Sequence, residues 1–266
     1  MKNKMEKDFY KEKNEPVRLN KYLSESGVCS RREADRLIES GRVFIDGEKA
    51  ACGMKVMPGQ KVTVGKKSVE KKDEMVVLAV NKPVGVICTE DKKTKNNIIR
   101  FLKYPTRVTY IGRLDKDSDG LLLMTNNGDI INKMMRAGNR HEKEYKVTVN
   151  KPITDEFIEK MSSGVHIKDK EKGLDAVTRP CKVTKIGKFK FNIVLTQGLN
   201  RQIRRMSEAL GYKVTALTRV RIMNIELGGL KTGQYRKLTD EELNVLYDQI
   251  KDSSNETVME KRKTQE

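Results

Sequence analysis

Three carboxylates crowd one short turn of this chain. Asp115, Asp117 and Asp119 lie in Gly112-Arg113-Leu114-Asp115-Lys116-Asp117-Ser118-Asp119-Gly120, with apolar runs entering at 108–111 and leaving at 121–125. A polar, glycine-bounded turn between two buried strands is a rigid mount, and reacting side chains concentrate on such loops. Three chemistries compete for it. One is no chemistry at all, a charged hairpin turn. A second is calcium binding, because D-x-D-x-D-G is the first half of that loop pattern. Its twelfth position is Asn126, however, where a bidentate glutamate is needed, and the flanks are strand-like. The third is an ionised carboxylate that acts on a substrate, with its neighbours shaping the turn.

A second stretch bears on that choice. In Gly198-Leu199-Asn200-Arg201-Gln202-Ile203-Arg204-Arg205-Met206 the residues Ile203, Met206 and Leu210 recur at i, i+3 and i+7. They place an anchoring face on a helix over about 201–210. Arg201, Arg204 and Arg205 share another face and offer guanidinium groups to carboxylate or phosphate. A guanidinium beside a carboxylate favours its ionised form. A helix that only grips backbone phosphates is the alternative.

The elements that must position these groups follow from the apolar pattern. Residues 75–80 form a continuous apolar run, the mark of a central strand. Asn81 to Gly85 turn the chain, 86–89 read as a returning strand, and 90–97 as an exposed loop. Asn126 to Asp129 turn into a short helix carrying Ile130, Ile131, Met134 and Met135. Residues 143–149 alternate as a strand, and Thr154 caps a helix with Phe157, Ile158 and Met161 that ends at Gly164. Strands are expected at 191–196 and 220–227. Thr239 and Glu242 form a capping box that opens a last helix through Leu243, Leu246 and Ile250. Strands outnumber helices without alternating with them, which predicts an α+β domain over 75–250 with a mixed, largely antiparallel sheet flanked by helices.

A smaller unit precedes it over 17–65. Leu19, Tyr22 and Leu23 repeat at helical spacing, and Ser30 with Glu33 predicts a capping box before a helix carrying Ala34, Leu37 and Ile38. Asp46-Gly47 between apolar Val43-Phe44-Ile45 and Lys49-Ala50-Ala51 is a hairpin signal. Arg31, Arg32 and Arg36 crowd the start and one face of the second helix. Cations there oppose the helix dipole, which points to an external anion such as RNA phosphate. A merely solvated face is the alternative. Residues 1–16 and 251–266 read as a flexible lead and tail, and 66–74 as a lysine-rich connector.

Composition bounds the partners. The 266 residues carry 55 Lys and Arg against 37 Asp and Glu, a net charge of +18, which favours a polyanion and nucleic acid above all. A generally lysine-rich proteome is the bland alternative. Four separated cysteines and two histidines (His141, His166) offer no clustered metal ligands, so no metal is expected, and reduced thiols suit a cytoplasmic location. No apolar run is long enough for a membrane span.

The stretch RLNKYLSESGVCSRREADRLIESGRVFIDGEKA resembles the S4 RNA-binding domain. That resemblance implies two helices gripping structured RNA, with Lys21, Arg31, Arg32 and Arg36 as contacts. GRLDKDSDGLLLMTNNGD, KEYKV and GLNRQIRRM, in that order, resemble the RsuA family of bacterial pseudouridine synthases, and NRHEKEYKVTVNKPIT its RluF-type branch. The likeness covers about 17–250. Ser118 and Gln197 depart from residues frequent in the wider family, which bears on the branch more than on activity.

Carried over by motif, the resemblance implies that Asp115 is the nucleophilic aspartate. Tyr145 is the tyrosine that stacks on the target uracil, and Arg204 the base that pairs with the aspartate. Arg113 holds the flipped nucleotide out. Independently of the resemblance, the arginine face of the 201–210 helix is expected to contact phosphate through Arg201 and Arg205. The activity implied is isomerisation of uridine to pseudouridine in 23S ribosomal RNA, with a tRNA open as second substrate. The glycosidic bond is cut and remade at C5 with no net redox change or hydrolysis, so no cofactor is expected. Reaching C1′ needs the nucleotide out of its stack, at a cost of a few kcal/mol. A monomer is expected, since no coiled-coil pattern is present. The competing reading is a non-catalytic RNA-binding or ribosome-assembly factor. Asp115 separates the two, because pure binding has no use for a carboxylate facing a polyanion.

Overall fold

Two units divide the chain of this computed structural model, which describes residues 15–70, 75–135, 140–251 and 253. The expected lead at 1–14, most of the tail and residues 71–74 of the connector lie outside the described residues.

The first unit takes the chain to Val76 together with Tyr104–Thr109 and Thr125–Gly128. Strand β1 (Val17–Arg18) leads into helices α1 (Leu19–Glu25) and α2 (Arg31–Glu39). Strands β2 (Val43–Ile45), β3 (Glu48–Lys49), β4 (Lys55–Val56), β5 (Val62–Val64) and β6 (Lys67–Val69) follow. β1 pairs with β4, and the other four form an antiparallel sheet in the order β3-β2-β5-β6. The apolar repeat read from sequence is the core: Leu19, Leu23, Ala34, Ile38, Val43 and Val62 are buried together. Asp46 and Gly47 both take positive φ, which sets the twist of the β2–β3 hairpin.

Two expectations need correction here. Ser30 does cap α2 by accepting from the Glu33 N–H at 3.3 Å, but the Glu33 carboxylate pairs with Arg36 instead of returning to the cap. Lys67–Val69 was expected in the connector and is a strand, because Val69 is buried against β5. Residues Tyr104–Thr109 and Thr125–Gly128 pack with the first unit. Asn126 accepts the Val76 N–H at 2.9 Å, and Arg107 reaches the Ser24 hydroxyl at 3.4 Å.

The second unit is built on a sheet in the order β13-β14-β10-β15-β9-β7-β17, with β8 and β16 paired at its side. In chain order its elements are β7 (Val77–Lys82), α3 (Ile98–Leu102), β8 (Thr109–Ile111), β9 (Asp119–Thr125), α4 (Gly128–Met135), β10 (Lys143–Val149) and α5 (Asp155–Ser163). Then come β11 (His166–Asp169), β12 (Leu174–Val177), β13 (Lys182–Gly187), β14 (Lys190–Leu195), α6 (Gln202–Ala209), β15 (Val214–Ile222), β16 (Ile225–Glu226), β17 (Tyr235–Lys237) and α7 (Asp240–Ile250). β15 and β9 run parallel, while β10–β14, β10–β15, β13–β14 and β7–β17 are antiparallel. The fold is α+β with a mixed, largely antiparallel sheet, as its irregular succession of strands and helices implied.

Helices α5 and α6 cover one face of β10 and β14. Phe157 and Met161 from α5 and Ile203 and Met206 from α6 pack on Val147, Val149, Phe191 and Ile193. The capping box at Thr239 and Glu242 closes on both sides. Two strands were misjudged. Residues 86–89 form only a single bridge, Ile87 to Asn97. The run 220–227 breaks at Met223, whose φ of 54° turns the chain between β15 and β16.

Candidate active site

The carboxylate turn runs from Gly112 to the start of β9, and neighbouring backbone sets its shape. Gly120 has φ of 101° and pairs with Arg219 on the parallel strand β15. A Cβ there would stand 2.3 Å from the Arg219 carbonyl oxygen, so only glycine lets the two strands meet. Across the turn, Ser118 N–H donates to the Asp115 carbonyl at 3.2 Å, and Gly85 N–H to the Lys116 carbonyl at 2.7 Å. The second contact docks the turn after β7 onto the carboxylate loop. Together they border an open cleft of about 500 Å³ lined by Val84, Gly85, Asp115, Lys116, Asp117 and Arg201.

Two arginines of the 201–205 cluster reach this loop, in different ways. Arg201 holds Asp117 with both terminal nitrogens at 3.0 Å and lies 3.9 Å from Asp115. That fork holds the Asp117 carboxyl below its ordinary range and keeps the Arg201 guanidinium above its own. Arg204 is 7% exposed and works beneath the loop. It donates to the Asp117 carbonyl at 2.8 Å, to the Ser118 hydroxyl at 3.2 Å and to the Val214 carbonyl at 3.3 Å.

The expected pairing of Arg204 with Asp115 is therefore corrected. Among the described residues, Asp115 has its ion pair with Arg201, and Arg204 lies 3.5 Å from the Asp117 carboxylate while it braces the loop backbone. Helix α6 is buried almost all round, through Gln202, Ile203, Arg204, Met206 and Ser207, and Arg204 points into the molecule.

Arg205 differs as well. It was expected to contact phosphate, yet it pairs with Asp169 on β11 and donates to the Lys168 carbonyl at 3.3 Å. Arg205 thus ties α6 to β11. Arg113 is exposed beside Asp115. Tyr145 is partly buried against the α5–α6 core and lies opposite Arg219, which in turn lies opposite Gly120. Two strand spacings, about 10 Å, separate the tyrosine from the end of the carboxylate turn. On the first unit, Arg31, Arg32 and Arg36 are exposed on α2, with Arg36 paired to Glu33 and Lys21 to Glu25.

Sequence reasoning missed the buried cations around the turn. Arg219 is 2% exposed and donates to the Leu121 carbonyl at 2.7 Å and the Arg113 carbonyl at 3.5 Å, tying together both ends of the loop. Lys82, fully buried, donates to the Pro83 and Val86 carbonyls at 2.8 and 2.9 Å. Burial pushes its pKa down, opposed by Cys88, Asp119 and Asp115. Burial and Arg219 push Lys143 down to about 8. A lysine or arginine inside an otherwise apolar strand was the available signal.

The geometry is that of a carboxylate on a braced loop, with a neighbouring guanidinium, lining an open cleft. Residues 76–209 match the family model described as RNA pseudouridylate synthase, and residues 17–62 match the S4 domain. The chain belongs to the RsuA family of RNA pseudouridine synthases. It is similar to the dual-specificity RNA pseudouridine synthase RluF of Salmonella typhi, at 54% identity over 242 residues, covering 90% of this chain and 82% of that one. It is also similar to ribosomal large subunit pseudouridine synthase B of Bacillus subtilis (strain 168), at 36% identity over 233 residues, covering 85% and 93%. A crystal structure of a pseudouridylate synthase superposes with a TM-score of 0.63 at 28% identity, covering 86% of this chain and 99% of that one. The synthase thus carries an S4 RNA-binding domain ahead of its catalytic domain. Among the described residues, no helix is long and apolar enough to cross a membrane.

Proposed function

We propose that the synthase isomerises uridine in large-subunit ribosomal RNA, that it does so in the cytoplasm as a monomer, and that a tRNA is open to it as a second substrate. The observation that carries the reading is Asp115, lining the cleft with Arg201 3.9 Å away and its loop braced from below by Arg204. The printed names of the two relatives supply the substrate class: one is called dual-specificity, the other acts on the ribosomal large subunit.

In this reading Asp115 is the reacting carboxylate. It either attacks C1′ or takes a proton from the sugar; on both routes the C1′–N1 bond breaks and the freed uracil turns. C5 then bonds to C1′, the C5 proton leaves, and N1 gains a proton. Tyr145 stacks on the base and sits where that proton departs. Arg113 occupies the space of the flipped nucleotide, and Arg201 steadies the carboxylates. Lys21, Arg31, Arg32 and Arg36 hold RNA phosphate on the S4 domain, and their electrostatic contribution offsets the few kcal/mol of unstacking. The test is to map pseudouridine in large-subunit RNA and in tRNA from cells lacking the protein, before and after adding it back. Reappearance of a lost site in the large-subunit RNA supports the assignment. An unchanged map in that RNA overturns it, whatever the tRNA shows.

A further inference from the structure

The ribbon β13–β14–β10 has a face that the reaction leaves unused. Side chains alternate across a strand, so register sorts this ribbon into two faces. Phe191, Ile193 and Leu195 of β14 point into the core with Val147 and Val149 of β10, and Tyr145 shares that side. On the opposite side, cross-strand rows bring together Lys182, Val194 and Glu144, then Thr184, Asn192 and Lys146, then Lys190 and Thr148.

Lys146, Lys182 and Lys190 are all exposed, and none forms an ion pair among the described residues. The carboxylate in these rows, Glu144, is already taken by Arg221 at 3.0 Å. The face is therefore positive and uncompensated. The lysines in these rows outnumber the one carboxylate three to one, and that carboxylate is engaged elsewhere.

The sequence bias extends beyond the face. From Ala176 to Ser207 the chain has eight Lys and Arg and neither Asp nor Glu. The 37 carboxylates of the chain, spread evenly through 266 residues, would leave several in that stretch. Lys190 and Lys146 stand on a diagonal of adjacent strands, about 7–8 Å apart. The side chains of Thr148, Thr184 and Asn192 lie among the lysines. The Asn192 amide already donates to Glu144 at 3.5 Å, and the ammonium groups interleaved with threonine hydroxyls make a contact set for phosphate and ribose, not for base edges.

We propose that this face binds the ribose-phosphate backbone of the substrate RNA, away from the target uridine. It rests on the proposed reading of the substrate as a large structured RNA. β14, β10 and β15 stand between β13 and β9, the strand that follows the carboxylate turn, so the rows lie toward the end of the sheet away from that turn. On this proposal an RNA confined to the target stem leaves the lysines unoccupied, and the face discriminates by length.

The test compares wild type with the variant K146E/K182E/K190E and with its neutral counterpart K146Q/K182Q/K190Q. Thermal melts first show that the folds match. Binding is measured by filter retention on a short stem-loop bearing the target and on a long ribosomal RNA fragment containing the same stem, across about 50–300 mM salt. On the long fragment, the glutamate variant is expected to bind at least tenfold more weakly. Its slope of log affinity against log salt is shallower by about three, with the glutamine variant between the two. The stem-loop affinity is unchanged, as is the single-turnover rate at saturating RNA. Wild-type binding of the long fragment by the glutamate variant would overturn the proposal. So would an equal loss on both RNAs, which marks general charge attraction. Binding is read without pseudouridine formation, so failure here leaves the assigned reaction standing, and failure of the pseudouridine map leaves this result readable.

Discussion

Arg201, which precedes α6, and Arg204, three residues on within it, should fail in different ways. Arg204→Met removes donors to the Asp117 carbonyl, the Ser118 hydroxyl and the Val214 carbonyl, at 2.8, 3.2 and 3.3 Å, from a site 7% exposed. Hydrogen bonds from a charged donor contribute about 1.5–3 kcal/mol each, and an acceptor left dry costs more. Two of these acceptors sit on a loop that water reaches once the arginine is gone, so the net loss is about 2–4 kcal/mol. In a domain of this size that lowers Tm by about 5–15 °C. Arg201→Met breaks an ion pair in which both side chains are more than a third exposed, and costs about 0–1 kcal/mol.

Turnover adds a second contrast. Displacing the loop by about 1 Å costs on the order of a hundredfold in rate. Arg204 is buried beneath the loop, so its variant is expected to lose single-turnover rate with RNA affinity intact. The assay is differential scanning calorimetry together with tritium release from RNA labelled at uridine C5, the hydrogen lost when C5 becomes the glycosidic carbon. Equal Tm losses in the two variants, or none for Arg204→Met, would refute the assignment of Arg204 as the brace.

Three further outcomes are expected. Gly120→Ala places a Cβ 2.3 Å from the Arg219 carbonyl at φ of 101°, and should cost several kcal/mol by chemical denaturation. Gly173→Ala meets no atom within 4 Å, carries only the strain of its φ of 60°, and costs about 1 kcal/mol. The Lys143 pKa falls to about 8 in the folded chain against 10.5 unfolded, so the unfolded state binds more protons between these values and wild-type stability rises with pH there. Lys143→Met should show its greatest relative stability near pH 7 and lose that advantage as pH climbs past 8; a pH-independent difference contradicts the buried-charge account. Arg31→Ala with Arg32→Ala should weaken RNA binding and reduce its salt slope by about two, measured by titration at several salt concentrations.

Much of this architecture could be read in the residues, and its gaps have physical causes. The S4 core, the Asp46-Gly47 hairpin, strand β10 and the Thr239 capping box all rest on local signals of apolar period and turn chemistry. The strands at β11, β12 and β13 carry no such signal. They alternate weakly, with β13 exposed or half-exposed throughout, so charge hides their extended shape. Within the site, the carboxylate turn stood out by composition and Asp115 by its place in the motif, whereas the inward turn of Arg204 did not. A helical wheel sets Arg201, Arg204 and Arg205 on one polar face, but three different elements take them up: Asp117 in the loop, the backbone beneath it, and Asp169 on β11. Arg219 and Lys82 were hidden for the related reason that cations seldom sit in a core unless carbonyl oxygens receive them, and those carbonyls come from segments distant in sequence or from a tight turn.

The central claim is that the Asp115 carboxylate carries the reaction while the surrounding surfaces carry the binding. It is tested most directly by Asp115→Asn, which keeps size and hydrogen bonding but removes the charge. Large-subunit RNA lacking the modification is incubated with each protein at saturating concentration, pseudouridine is mapped, and the RNA dissociation constant is measured on the same preparations. The account predicts wild-type binding with no pseudouridine formed by the variant. Pseudouridine at the wild-type sites and rate with Asp115→Asn would contradict it.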